Sequence, residues 1–184
     1  MEKEKAFEQI EYLQELAEQS RLRAARGYPF FLLWGVLWVI GYLGTAIYSP
    51  TIWGIVGLTG GIGSIWISYR QVSKETAPLL LRKLKRLEGL LLLAALAIYF
   101  VLVNFIEVRQ FFNAYWPFQI GVMYTAAGIF IGQRMIKIGL WLIGIAAIGF
   151  WLPEFWCEVW FAFLGGGGLL FTGWYFRKQV LEDE

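Results

Sequence analysis

The residues that could do chemistry in this chain are few, and their surroundings restrict what that chemistry can be. Glu107, Glu154 and Glu158 each adjoin an apolar run, and Asn104 lies one helical turn from Glu107. Carboxylates beside lipid could form an acidic outer mouth that attracts cations, although headgroup-level residues in contact with water are the plainer expectation. Glu158 sits between Trp156 and Trp160 and is the one acid expected to be partly buried. No carboxylate is expected deeper in the membrane, which argues against a proton-coupled pump.

Glycine supplies the second signal. Gly54, Gly57, Gly60, Gly61 and Gly63 fall in one apolar run, and Gly165, Gly166, Gly167 and Gly168 with Gly173 fall in another. Gly57 with Gly61, Gly60 with Ser64, and Gly128 with Gly132 have the small-xxx-small spacing that lets helix backbones approach in lipid. Tight packing is therefore the first expectation. The alternative is that Gly165–Gly168 unwinds its helix near mid-membrane and exposes backbone groups to a solute. Trp34, Trp38 and Tyr42 recur every fourth residue, so on a helix they form one stripe. Such a stripe packs against small residues or faces lipid, or it offers its π faces as a wall for a lipophilic cation.

Catalysis finds no support. The chain has no histidine, so Ser-His-Asp, Cys-His and histidine metal sites are all absent. Cys157 stands alone and can form neither a disulfide nor a redox pair within the chain. The glycines near position 60 lack the lysine of a phosphate-binding loop. No enzyme activity, cofactor, metal or nucleic-acid partner is expected.

The elements that carry these residues follow from composition. Of 184 residues, 58% are hydrophobic and 16% charged, against about a quarter charged in a typical soluble domain. A helical span takes about 20 apolar residues, at 1.5 Å each across roughly 30 Å of hydrocarbon. The apolar runs then predict six transmembrane helices, near 28–48, 52–69, 88–107, 115–133, 136–152 and 156–176. The fifth is short, and Lys137 would have to snorkel to the headgroups to extend it. The fold class is all-α, a polytopic membrane bundle.

Charge orients the bundle. Of the 16 basic residues, Arg109 alone falls on the loops of one side. The rest, including Arg26, Arg70, Arg82, Arg134 and Arg177, fall on the other, which the positive-inside rule makes cytoplasmic. Both termini are then cytoplasmic.

Along the chain, residues 1–27 read as a cytoplasmic amphipathic helix, acidic first and basic last. Phe7, Ile10, Leu13 and Ala17 form or flank its apolar stripe, a docking face better suited to a protein than to anionic lipid. Residues 28–69 make a first hairpin, 70–87 a basic amphipathic segment, 88–133 a second hairpin, 134–178 a third, and 179–184 an acidic tail. Trp53 aligns on Trp160, Gly60-Gly61 on Gly167-Gly168 and Arg70 on Arg177 at one common offset, which suggests tandem hairpin repeats. The general pattern is similar to that of small bacterial inner-membrane proteins, without a family motif, and implies a bacterial cytoplasmic membrane.

Two functions fit. One is a non-enzymatic protein acting through helix–helix interactions, as a regulator or assembly partner. Its contacts would be the lipid bilayer and, through residues 2–26 and the glycine faces, a second copy or another membrane or cytoplasmic protein. The other is a small-solute transporter or channel with a glycine-broken sixth helix. A cavity reaching Gly165–Gly168 would favour the second, and a closed bundle the first.

Overall fold

The computed structural model describes residues 25–72 and 109–182, with isolated helical positions at 90, 94 and 97. Nearly all of the amphipathic segments expected at 1–27 and 70–87, and of the span expected at 88–107, lies outside the described residues. Within them the chain is helical, without a strand.

Helix α1, Tyr28–Ile47, starts with Pro29 in its first turn, where a missing N–H costs little. It stops at Tyr48-Ser49-Pro50. There the Thr51 amide donates to Ser49 Oγ at 3.3 Å, and the amides of Trp53 and Gly54 donate to Pro50 O and Thr51 O to open the next helix. Helix α2 is Ile52–Val72. Helix α3, Arg109–Ile131, and helix α4, Gln133–Gly149, are joined by Gly132 alone. That residue has φ 131°, a backbone conformation that disfavours any side chain. Pro153 precedes α5, Glu154–Trp160, which continues through a π-helical turn, Phe161–Gly166, into α6, Gly167–Glu182.

Three of these elements are long and apolar enough to cross a membrane: α1, residues 52–71 of α2, and the 29-residue rod Glu154–Glu182. Six were expected. The third lies outside the described residues. Helix α3 is diluted by Arg109, Gln110, Asn113 and Gln119, and α4 has 17 residues, about 26 Å at 1.5 Å per residue.

In a bilayer there is little hydrophobic drive between helices, so close dispersion contact must hold them together. The chain achieves this by setting glycines against larger residues. Helix α1 is central. On one side Gly41 faces Trp53, and Gly60 and Gly63 of α2 face Trp34 and Leu33. On the other, Gly35 faces Leu170, Gly166 faces Val39, and Gly173 faces Leu32. Helices α3 and α4 form the most extensive pair, with Gly121 against Ile143, Gly128 against Ile136 and Gly139 against Thr125. This pair crosses the boundary expected between the second and third hairpins. The residues aligned as repeats also differ in surroundings: Gly60 is packed where Gly167 meets nothing within 4 Å, and Gly168 is packed where Gly61 is not.

Candidate functional site

The most polar part of the buried core lies among α1, α3 and α5. Pro117, inside α3, has no N–H to give to the carbonyl four residues earlier. That carbonyl belongs to Asn113, and the Tyr42 hydroxyl of α1 donates to it at 3.2 Å. The Asn113 side chain in turn donates through Nδ2 to Glu158 Oε1 of α5 at 2.5 Å. A proline thus opens a backbone acceptor, a tyrosine fills it, and the same turn of helix presents an amide to a carboxyl group. Glu158 is 1% exposed and its neighbour Cys157 is fully enclosed. Glu158 Oε1 takes the Asn113 amide, while its Oε2 is buried without a hydrogen bond among the described residues, a costly state for a charged group in an apolar core.

The aromatic stripe closes the other side of this cluster. Tyr42 makes edge contacts with Trp38 at 5.7 Å and Trp53 at 4.8 Å, and a tilted contact with Phe161 at 5.2 Å. Trp38 also lies against Gly165. Trp34 is drawn towards α2, where its Nε1 donates to Ser64 Oγ at 3.1 Å. The structure therefore brings Trp38 and Tyr42 together as core. Trp38 and Tyr42, 3% and 2% exposed, are enclosed and offer no open wall to a cation, and Trp34 is partly buried.

The outer acids separate. Glu154, in the first turn of α5, is exposed. Glu158, one turn later, is buried more deeply than the partial burial expected of it, with Asn113 bonded to its carboxyl group, so it does not join Glu154 in an outer acidic mouth. Glu107 lies outside the described residues, as do Phe7, Ile10, Leu13 and Ala17.

The glycine run does not unwind its helix. The chain stays helical from Glu154 to Glu182 and widens by one π turn just before Gly167. Two indole bonds tie that turn to α4: Trp141 Nε1 of α4 donates to Leu164 O at 3.2 Å, and Trp160 Nε1, at the end of α5, donates to Ile145 O of α4 at 3.0 Å. A methyl group on Gly166 would stand 3.0 Å from Gly35 O, and one on Gly168 would stand 3.0 Å from Trp141 Nε1. Gly165, Gly166 and Gly168 are thus packed against protein, leaving only Gly167 open. Of the other expected packing residues, Gly60 and Gly128 are packed, Gly132 forms the α3–α4 turn, and Gly57 and Gly61 meet nothing within 4 Å.

Sequence reasoning missed Asn113, Trp141, and the glycines Gly35, Gly121 and Gly139 as contact points with specific partners. Asn113 could have been found from Pro117, since a proline in an apolar helix implies a free carbonyl four residues before it. Among the described residues no group of three or more His, Cys, Asp or Glu could hold a metal. The chain matches no protein-family model, no curated protein and no solved structure.

Proposed function

We propose that this chain is a non-enzymatic integral membrane protein that works through helix–helix contacts, as a regulator or an assembly partner. The observation that carries the reading is the contrast between a filled interior and one open face. The Gly165–Gly168 region, where a solute would have to bind, is occupied by Trp38, Val39 and Trp141. Helix α2, in contrast, is buried over only 11% of its span, against 33% for α1 and 39% for Glu154–Glu182. On it a methyl group at Gly54, Gly57 or Gly61 would meet nothing within 4 Å among the described residues, while Ile55, Leu58, Ile62 and Ile65 are exposed around them. Small residues flanked by branched ones suit close approach of a second helix in lipid. The partner is a second copy of the chain or another membrane protein, with residues 2–26 providing a further contact on the cytoplasmic side.

In this reading the chain spans a bacterial cytoplasmic membrane six times with both termini inside. Helix α4 crosses by snorkelling of Lys137 and local thinning, and residues 88–107 provide the third span. The asymmetric distribution of lysine and arginine supports this orientation.

Energy transfer between labelled copies in lipid vesicles, measured as the protein is diluted with lipid, tests the docking role. Wild-type chains should associate, and the pair Gly57→Ile and Gly61→Ile should lower the association constant by about tenfold or more, the loss of one close-packed seam. Equal association of both proteins would refute the reading.

The transporter reading keeps one specific observation in its favour, the buried carboxyl group of Glu158, because ionisable groups within a membrane bundle commonly mark ion paths. Cation flux into proteoliposomes that Glu158→Gln abolishes would establish it. Absence of flux in the wild type would remove it.

A further inference from the structure

The seam where α4 meets α6 ends, on the side expected to be cytoplasmic, in positive charge that no carboxylate among the described residues neutralises. Arg134, at the second residue of α4, is partly buried, and its Nη1 donates to Gln179 Oε1 of α6. Its guanidinium also stands 5.7 Å from the ring centre of Tyr175. Both partners are neutral. Lys137, one turn further along α4, is exposed. No carboxylate pairs with either cation among the described residues. Lys178 differs: Glu182 lies 3.6 Å from it and offsets its charge. Arginine has five N–H donors in a fixed fork, and the contact to Gln179 uses part of that fork while holding the group in place. What remains fits the oxygens of a phosphate.

The seam below this cation is apolar and aromatic. Trp141 shares the α4 face of Arg134, two turns along, and Phe171 and Gly168 share the α6 face of Tyr175. The two faces meet again where Trp141 Nε1 stands 3.0 Å from the Cβ position of Gly168. Trp141 and Phe171 remain 49% and 66% exposed, and Phe171 stacks at a tilt on Trp174 at 6.0 Å. A preset guanidinium with a lysine beside it, continuous with an exposed aromatic flank, matches a molecule with an anionic head and a hydrocarbon tail.

We propose that this seam binds one anionic phospholipid of the adjoining leaflet, its phosphate on Arg134 and Lys137 and one acyl chain along Trp141 and Phe171. The aromatic continuation selects a lipid over a free phosphate ion. The site depends on the bundle lying in a membrane and is independent of any docking by α2.

The test is native mass spectrometry of the full chain released from vesicles of equal parts phosphatidylglycerol and phosphatidylcholine. The expected result is one retained lipid per chain, with phosphatidylglycerol favoured by roughly tenfold, the order expected for two cations near the headgroups. Arg134→Gln with Lys137→Gln should bring the ratio close to one, while Lys178→Gln should leave it unchanged because Glu182 already offsets that charge. Lys137→Gln alone alters only an exposed residue and should lower the ratio part-way, so a folding defect in the double variant cannot decide the outcome. Equal retention of both lipids by the wild type would overturn the proposal, as would a Lys178→Gln effect equal to that of Lys137→Gln. Displacement of the lipid by millimolar inorganic phosphate would show a free-anion site and overturn the lipid assignment.

Discussion

Helix α2 and the α3–α4 pair set the same residue type in opposite surroundings. In α3–α4, glycine lets two backbones touch: a methyl group on Gly139 would stand 2.5 Å from both Gly121 O and Thr125 N. In α2, Gly60 and Gly63 face side chains of α1, while Gly54, Gly57 and Gly61 face nothing within 4 Å. Spacing alone does not separate the two cases, since Gly57/Gly61 and Gly121/Gly128 are both regular small-residue patterns. What separates them is the partner. A glycine opposite a backbone atom is fixed by its own chain, and one that meets nothing among the described residues is, in the proposed reading, open to another chain.

This contrast orders the effects of substitution. Gly139→Ala should destabilise most, because backbone cannot yield as a side chain can; about 3 kcal/mol is expected, at the upper end for overpacking, read by SDS unfolding in mixed micelles. Asn113→Ala comes next, at about 1–3 kcal/mol for a lost hydrogen bond to a buried carboxyl group. Asn113→Asp should be at least as damaging, because it sets a second acid against Glu158. Trp34→Phe, which removes the contact to Ser64 but keeps an aromatic ring against Gly60, should cost about 0.6 kcal/mol, typical of interhelical hydrogen bonds in membranes. Gly57→Ala should change the stability of the single chain by under about 0.5 kcal/mol, as surface substitutions do. A large loss at Gly57, or a small one at Gly139, would break the comparison.

The helices of the described chain were largely legible in sequence, for a physical reason. Apolar runs bounded by Ser49-Pro50 and Leu152-Pro153 leave little freedom in where a helix stops. The structure places helix ends within a few residues of those marks, although only three helices meet the full requirement for crossing. Partners were not legible, because pairing depends on how whole helices rotate against one another. Glu158 shows this most clearly: its sequence neighbours suggested partial burial at an interface, and its enclosure comes from Asn113, 45 residues away. The π turn was hidden too. A glycine run reads as a weak helix, and nothing local reveals that Trp141 and Val39 hold it closed.

The central claim, that α2 carries an open face for another helix, is tested most directly by single cysteines placed along it in a Cys157→Ala background and crosslinked in native membranes. Crosslinked species, dimers or adducts with another membrane protein, should form from positions 54, 57 and 61 and fail to form from 60 and 63, which face α1, and from 56, which is buried. Crosslinking that ignores this periodicity, or none at any of the six positions, would contradict the account.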